Sequence, residues 1–226
     1  FLPHNTLLPN RIHVPSASNR KLLCLPLKND ILCFMTSMIY LIRHGESQQN
    51  IDDVLSGITD VPLSDRGKQQ CATLARYFEN FQVDKVFVTP LQRAIDSADI
   101  IFPKHKSSIE IIESLIEFNY GEYEGYSREN YENSNDSIIQ QWITSPSNLT
   151  FPGGDNIQAH AHRSLSSIAK LARENEGKVI ACISHRTTIR LILAQIIGLH
   201  LDNFRSLPCS NCGISEITLN DQGDWQ

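Results

Sequence analysis

Five side chains have the types needed to move a phosphoryl group: Arg43, His44, Arg93, Glu117 and His185. An arginine offers paired N–H donors that match phosphate oxygens. A neutral imidazole can attack phosphorus through one nitrogen while the other donates to a fixed acceptor. Arginines then spread the charge of the transferring group, which is the main electrostatic task of such a reaction. The leaving alkoxide needs a proton, and a nearby carboxylic acid can supply it. The five residues lie far apart in the chain, so they serve this chemistry only if the fold gathers them.

The elements that would gather them can be read from periodicity. Met38-Ile-Tyr-Leu-Ile-Arg43 is a short apolar run and reads as a buried strand. A polar loop with Gly57 and Pro62 follows. Ser64 can cap a helix over residues 65–80, where Cys71, Leu74, Ala75 and Phe78 share one face. Residues 84–88 form a second strand. Thr89-Pro90 reads as a cap and first-position proline opening a helix with Ala94, Ala98 and Ile101 on one side. A third strand is predicted over 108–112. Residues 118–152 have weak periodicity and read as an excursion over the domain, with a short helix near 138–143. Helices over 157–174 and 185–198 flank an apolar strand at 178–183, and an alternating strand at 213–219 closes the pattern.

Strands that alternate with helices predict an α/β three-layer sandwich, a mostly parallel sheet covered on both faces. In such sheets ligands bind beyond the carboxyl ends of the strands. Arg43 and His44 end the first strand, and Thr89 and Arg93 follow the second. Glu117 lies past the third, and Ser184 and His185 follow the fourth. Helix N-termini at this rim would add free N–H groups and partial positive charge. The expected site is therefore an anion pocket.

The composition narrows the alternatives. The chain has 226 residues, 41% hydrophobic and 20% charged, enough for one domain with a core and too apolar for a disordered chain. The net charge is −5 with Lys and Arg scattered, which argues against a nucleic-acid partner. No uninterrupted apolar run reaches the length of about 18 residues that a spanning helix needs, so no membrane partner is expected. The six cysteines fall inside apolar patterns, and Cys209 and Cys212 lack two further ligands at zinc spacing. A reducing, cytoplasmic setting is expected, with no metal and no cofactor. Residues 1–37 carry four prolines and no lasting periodicity, and they read as a leader outside the domain, disordered or not native, with translation starting at Met35 or Met38; the alternatives are a transit peptide and an extra structural element. That leader holds four basic residues and one acid, so residues 38–226 would carry −8 against −5 for the whole chain.

Arg43-His44-Gly45-Glu46, with the strand before it, resembles the signature of the histidine phosphatase superfamily, the phosphoglycerate-mutase-like proteins. The resemblance continues in order. Leu63-Ser-Asp-Arg-Gly67, Thr89-Pro-Leu-Gln-Arg93-Ala and Leu115-x-Glu117-x3-Gly121-x2-Glu124-Gly125 resemble its next three motifs. Pro152-Gly-Gly-Asp155, with Asp for the usual Glu, and Ile183-Ser-His185 complete the set. The match spans about residues 38–219. By this resemblance His44 is the nucleophile that becomes phosphohistidine, and Arg43, Arg93 and His185 hold the phosphoryl group. Glu117 protonates the leaving oxygen, and Asn50 falls at another phosphate-pocket position. Gly57, Ile58, Thr59, Tyr120 and Arg186 are candidate substrate-pocket residues.

The chain departs from the family pattern twice. Arg186-Thr187-Thr188 follows His185 where two glycines are common, and Ile58 stands where many members have an aromatic or polar residue. The resemblance implies a metal-independent phosphatase for a small phosphorylated metabolite. The alternatives are a phosphoglycerate mutase and a non-catalytic phospho-ligand binder. Family mutases usually carry a longer insertion between the acid and the second histidine, and the 68-residue step from Glu117 to His185 favours hydrolysis. The 57–63 loop and the Trp142 to Pro152 stretch look similar to alpha-ribazole phosphatases. Family members also complete a hairpin after the strand at 213–219, so a missing last strand and an unpaired sheet edge are expected.

Overall fold

The computed structural model describes residues 23–27, 30–34, 37–130, 134–220 and 223–226. The first two segments form β1 (Leu23–Leu27) and β2 (Asp30–Phe34), an antiparallel pair separate from the main sheet. The sequence reading placed no element here. Both strands of a two-stranded ladder are edges, where Pro26 can sit without breaking an interior ladder. Ser37, the last residue of the expected leader, already belongs to the main sheet, and the rest of the leader lies outside the described residues.

The main sheet has five strands: β3 (Ser37–Arg43), β4 (Lys85–Val88), β5 (Glu110–Ile111), β6 (Val179–Ser184) and β7 (Ile214–Leu219), in the order β5-β4-β6-β3-β7. The first four in that order run parallel, and β7 is antiparallel to β3. Strand β3 is central and alternates its side chains between two cores. Tyr40 and Ile42 pack with Val86, Val88, Ala181 and Ile183. They meet α2 (Asp65–Phe78) through Leu74 and Phe78, and α3 (Gln92–Ile101) through Ala94 and Ala98. Ile39 and Leu41 face the other way. With Phe87, Ile180 and Cys182 they meet α5 (Ile157–Glu174) through Ile168, and α6 (Arg186–Ile196) through Ile189 and Ile192. The architecture is α/β, a mostly parallel sheet with helices on both faces, as the alternation of strands and helices predicts.

Side-chain caps set the starts of three of the six α-helices among the described residues. Ser64 Oγ accepts from Gly67 N, and Asn156 Oδ1 accepts from Ala159 N. In the excursion, α4 (Ser137–Thr144) begins at Asp136, which accepts from Ile138 and Ile139. This region buries its own aromatic core of Phe118, Tyr120, Trp142 and Phe151, extended to α6 by Leu191 and Ala194. A one-turn helix, α1 (Gln48–Ile51), was not expected from periodicity.

Three expectations are corrected. Helix α3 begins at Gln92, and Thr89 does not cap it, because its hydroxyl is bonded to His185 instead. The third strand is only Glu110–Ile111, both residues exposed at the sheet edge, and residues 103–108 form 3-10 turns behind Pro103. At the other edge the chain turns back. Thr218 and Gln226 exchange both backbone hydrogen bonds at 2.9 Å, so β7 is partly paired. Among the described residues no helix is long and apolar enough to cross a membrane.

Candidate active site

The parallel strands end at one rim, and that rim carries the chemistry. His44 follows β3, with its backbone N–H on the Ser184 carbonyl at 3.1 Å. Its neighbour must be small: a Cβ on Gly45 would stand 2.7 Å from the Gly67 carbonyl oxygen. Gly45 N donates to Ser97 Oγ, and Ser97 Oγ in turn donates to the Arg93 carbonyl. The turn after β3 is thereby tied to α3.

His44 is buried, and its Nδ1–H donates to the Gly45 carbonyl at 2.6 Å. A carbonyl can only accept, so in the neutral ring the lone pair lies on Nε2. Burial holds the His44 pKa well below the usual 6.5, and the Arg93 and Arg43 guanidiniums lower it further. The imidazole is thus neutral at neutral pH, with the Nε2 lone pair available. His185 is fully buried with its ring centroid 5.1 Å from that of His44. Its Nε2 shares a hydrogen bond with Thr89 Oγ1 at 2.7 Å. Burial first, then Arg93, His44 and Arg43, holds its pKa well below 6.5 as well.

Both arginines are buried. Arg43 Nη1 donates to the Cys209 carbonyl at 2.8 Å, and Arg93 Nη1 and Nη2 donate to the Thr59 and Gly57 carbonyls at 2.9 and 2.5 Å. Burial, aided by repulsion from Arg186, lowers the Arg43 pKa to about 10, which still leaves it charged at neutral pH. Arg43 Nε, Arg93 Nε and His185 Nδ1 are buried with no protein hydrogen-bond partner among the described residues. Buried donors of this kind are costly unless a ligand satisfies them, and all three belong to the expected phosphoryl site.

Glu117 is buried beside the start of α6. Its Oε2 accepts from Thr187 N at 3.1 Å, and its Oε1 accepts from Phe118 N at 2.8 Å and Thr188 N at 3.1 Å. Asn50 accepts from Asn211 Nδ2 at 2.9 Å, and the same amide group donates to the His44 carbonyl. A cavity of about 390 Å³ opens over this rim, lined by Arg43, His44, Asn50, Glu117, Tyr120 and Arg186 among others. Tyr120 is fixed by its ring core and by a bond between its hydroxyl and Thr187 Oγ1 at 2.8 Å.

Arg93 and His185 are not among the residues that line this cavity, and neither are Gly57, Ile58 and Thr59. Their loop holds Arg93 from behind, and Glu124 pins the loop. The two oxygens of Glu124 accept from the backbone N–H groups of Gly57, Ile58, Thr59 and Tyr120, at 3.1–3.2 Å. Thr59 Oγ1 donates to the same carboxylate at 2.7 Å. A Cβ on Gly57 would fall 2.5 Å from the Phe118 carbonyl oxygen, a backbone atom, and would also displace Glu124 Oε1, so only glycine fits.

Sequence reasoning missed Glu124 as a positioning group, although it lay inside a quoted motif. It also missed Arg128, Arg190 and Arg205 as cavity residues. Arg190 had a legible signal, since it stands four residues after Arg186 on one helix face. Arg128 and Arg205 had none, because both lie outside regular helix periodicity. Among the described residues no cluster of three or more His, Cys, Asp or Glu side chains suited to a metal ion occurs.

A parallel-sheet rim bearing two neutral histidines, two buried arginines and a carboxylate defines a phosphoryl-handling protein of the phosphoglycerate-mutase-like fold. The chain belongs to the histidine phosphatase superfamily, branch 1, whose family model matches residues 39–226. It is a hydrolase of the histidine phosphatase type. It is 38% identical over 227 residues to the fructose-2,6-bisphosphatase TIGAR B of Danio rerio, covering 81% of this chain and 86% of that protein. It is 28% identical over 161 residues to the adenosylcobalamin/alpha-ribazole phosphatase of Escherichia coli K12, covering 71% and 79%. The crystal structure of the alpha-ribazole phosphatase from Shigella flexneri superposes with a TM-score of 0.73 at 25% identity, covering 84% and 93%.

Proposed function

We propose that the chain hydrolyses a small phosphate monoester through a phosphohistidine, with His44 as nucleophile and Glu117 as proton donor. The observation that carries this is the His44 ring. Its Nδ1–H is committed to the Gly45 carbonyl, so Nε2 is the attacking nitrogen. In the first step Nε2 bonds to phosphorus and the ester P–O bond breaks. The leaving oxygen takes the Glu117 proton. In the second step water attacks the phosphohistidine, Glu117 accepts its proton, and the N–P bond breaks to release inorganic phosphate and restore His44. Arg43, Arg93 and His185 offer donors to the equatorial oxygens, and Asn50 borders them in the same rim.

Metal independence follows from that clamp, because two buried guanidiniums supply the positive charge that a metal would otherwise supply. A reducing, cytoplasmic setting fits the free thiols of Cys71, Cys182, Cys209 and Cys212. Alpha-ribazole 5′-phosphate is one candidate substrate, supported by the likeness to the Escherichia coli and Shigella flexneri enzymes. Brief incubation with ³²P-labelled substrate in EDTA should leave an acid-labile phosphoenzyme, and His44→Ala should form none. Wild-type turnover in His44→Ala, or activity that returns only with Mg²⁺, would refute the respective assignment. Isomerisation of 3-phosphoglycerate faster than its hydrolysis would replace the phosphatase by a mutase.

A further inference from the structure

Two thiols lie against the turn that carries His44, and the phosphoryl chemistry uses neither. Cys71 on α2 and Cys212 in the loop before β7 are 141 positions apart in the chain, yet their sulfurs share a hydrogen bond at 3.5 Å. Among the described residues the sulfur partner of Cys212 is therefore Cys71, not its CxxC neighbour Cys209. Both are free thiols. Cys71 is fully buried and Cys212 is half-buried, so a small solute reaches the pair from the Cys212 side. The hydrogen bond with Cys212 lowers the Cys71 pKa to about 7, and Ser97 and the Gly45 backbone add to this against the effect of burial. The same bond pushes the Cys212 thiol up. The pair thus holds a thiolate beside a thiol, which is what oxidation of a cysteine pair requires.

Both cysteines are tied to the His44 turn. A Cβ on Gly45 would stand 2.8 Å from Cys71 Sγ, so that sulfur packs directly on the turn. Cys212 N donates to the Arg43 and His44 carbonyls at 3.0 and 3.3 Å. The loop around Cys212 reaches further into the site. Its Cys209 carbonyl accepts from Arg43 Nη1, and its Asn211 amide donates to the His44 carbonyl and to Asn50 Oδ1. A movement of Cys212 toward Cys71 therefore shifts groups bonded to Arg43, His44 and Asn50 together.

We propose that Cys71 and Cys212 are an oxidation site for hydroperoxides, at which a reversible disulfide forms and slows the reaction at His44. With hydrogen peroxide, the Cys71 thiolate attacks one peroxide oxygen and the O–O bond breaks. Hydroxide leaves and takes up a proton, and Cys71 becomes a sulfenic acid. The Cys212 sulfur then displaces that oxygen. The S–S bond forms, the S–O bond breaks, and the Cys212 proton departs with the oxygen as water. Two thiols are oxidised and one peroxide is reduced to two waters, and an added dithiol reverses the bond by exchange. A disulfide is about 2.05 Å long, so the sulfurs must close by about 1.5 Å. Misplacement of reacting groups by about 1 Å can cost about 10²-fold in rate. The effect on turnover rests on the reading of His44 as nucleophile, whereas formation of the disulfide does not.

The test treats the full chain with hydrogen peroxide, unfolds it, alkylates the remaining thiols and maps the peptides by mass spectrometry without reduction. In parallel, kcat on p-nitrophenyl phosphate is measured before treatment, after it, and after dithiothreitol. A peptide pair joining Cys71 to Cys212 is expected, with kcat lowered about tenfold or more and restored by dithiothreitol. Cys212→Ser and Cys71→Ala should each form no such link, and each should stay within about twofold of its own untreated kcat. Thermal melting checks that the variants are folded, and two variants guard against the loss of one. Both thiols alkylated after peroxide, or a disulfide joining other cysteines instead, would overturn the site. A linked chain with unchanged kcat, or an equal loss of kcat in Cys212→Ser, would overturn the control of turnover by the disulfide. A chain that forms the link but hydrolyses no ester and forms no phosphoenzyme when reduced would refute the phosphatase reading and leave the oxidation site standing.

Discussion

At the scale of single residues, burial and charge act on His44 in the same direction. Desolvation disfavours the imidazolium, and Arg93 and Arg43 disfavour it further. A neutral imidazole is therefore available below the pH at which a free histidine protonates, as the proposed nucleophile requires. The acid limb of kcat/KM should lie below pH 6.5 once the substrate phosphate's own ionisation, near about 6, is accounted for. A limb at or above 6.5 would show that His44 is not the group that must stay neutral. Glu117 makes a separate prediction. Glu117→Gln should lower kcat by about 10²–10⁴-fold for alkyl phosphates, and much less for p-nitrophenyl phosphate, whose leaving group needs little protonation. Equal losses on both substrates would assign Glu117 to positioning rather than proton transfer. His44, Arg43, Arg93 and His185 were legible in the sequence because strand ends and helix starts locate them. Glu124 was not, since four of the five donors on its carboxylate come from residues 57–59, 65–67 positions away in the chain.

At the scale of elements, the loop of residues 57–59 connects two functions. It fixes Arg93 by two carbonyls, and it is fixed by Glu124. Glu124→Ala should cost about 1 kcal/mol or more in urea unfolding, because the part-buried amides of Gly57 and Tyr120 lose a charged acceptor while the exposed ones of Ile58 and Thr59 can turn to water. It should also raise KM, because Arg93 loses its backing, with Glu124→Gln intermediate in both. A KM unchanged in Glu124→Ala would separate the loop from the arginine. The start of α3 shows why cap rules misplaced an element. Thr89 and Pro90 match a capping pattern, yet Thr89 is bonded to His185 and the helix opens at Gln92 without a side-chain cap. A partner in another strand satisfied the hydroxyl that local sequence assigned to the helix.

At the scale of the whole molecule, two buried neutral histidines tie folding to pH. Unfolding exposes them to protonation near their ordinary 6.5, while in the folded chain both titrate far lower. Below pH 6.5 the unfolded state binds more protons, so stability falls as pH falls through that range. The limiting slope is about 1.4 kcal/mol per pH unit for each histidine. Melting temperature should drop between pH 7 and 5.5, and His185→Gln should flatten the drop. Inorganic phosphate should counter it by satisfying the orphaned donors of Arg43, Arg93 and His185, worth about 2.7 kcal/mol at a hundredfold excess over Kd. No shift in melting with phosphate would argue that the rim does not hold that anion.

The sequence by itself determined the alternation of strands and helices, the apolar interior of β3 and β6, and the five rim residues. Local periodicity and the polarity of a parallel sheet suffice for those. Only the tertiary structure decided that Gly57 and Thr59 support Arg93 instead of lining the cavity, and that Thr89 serves His185. It also decided that arginines from α6, the excursion and the loop after α6 share one pocket with His44. Those outcomes depend on groups separated by tens of residues competing for the same donors, acceptors and space, and no local pattern records which partner wins.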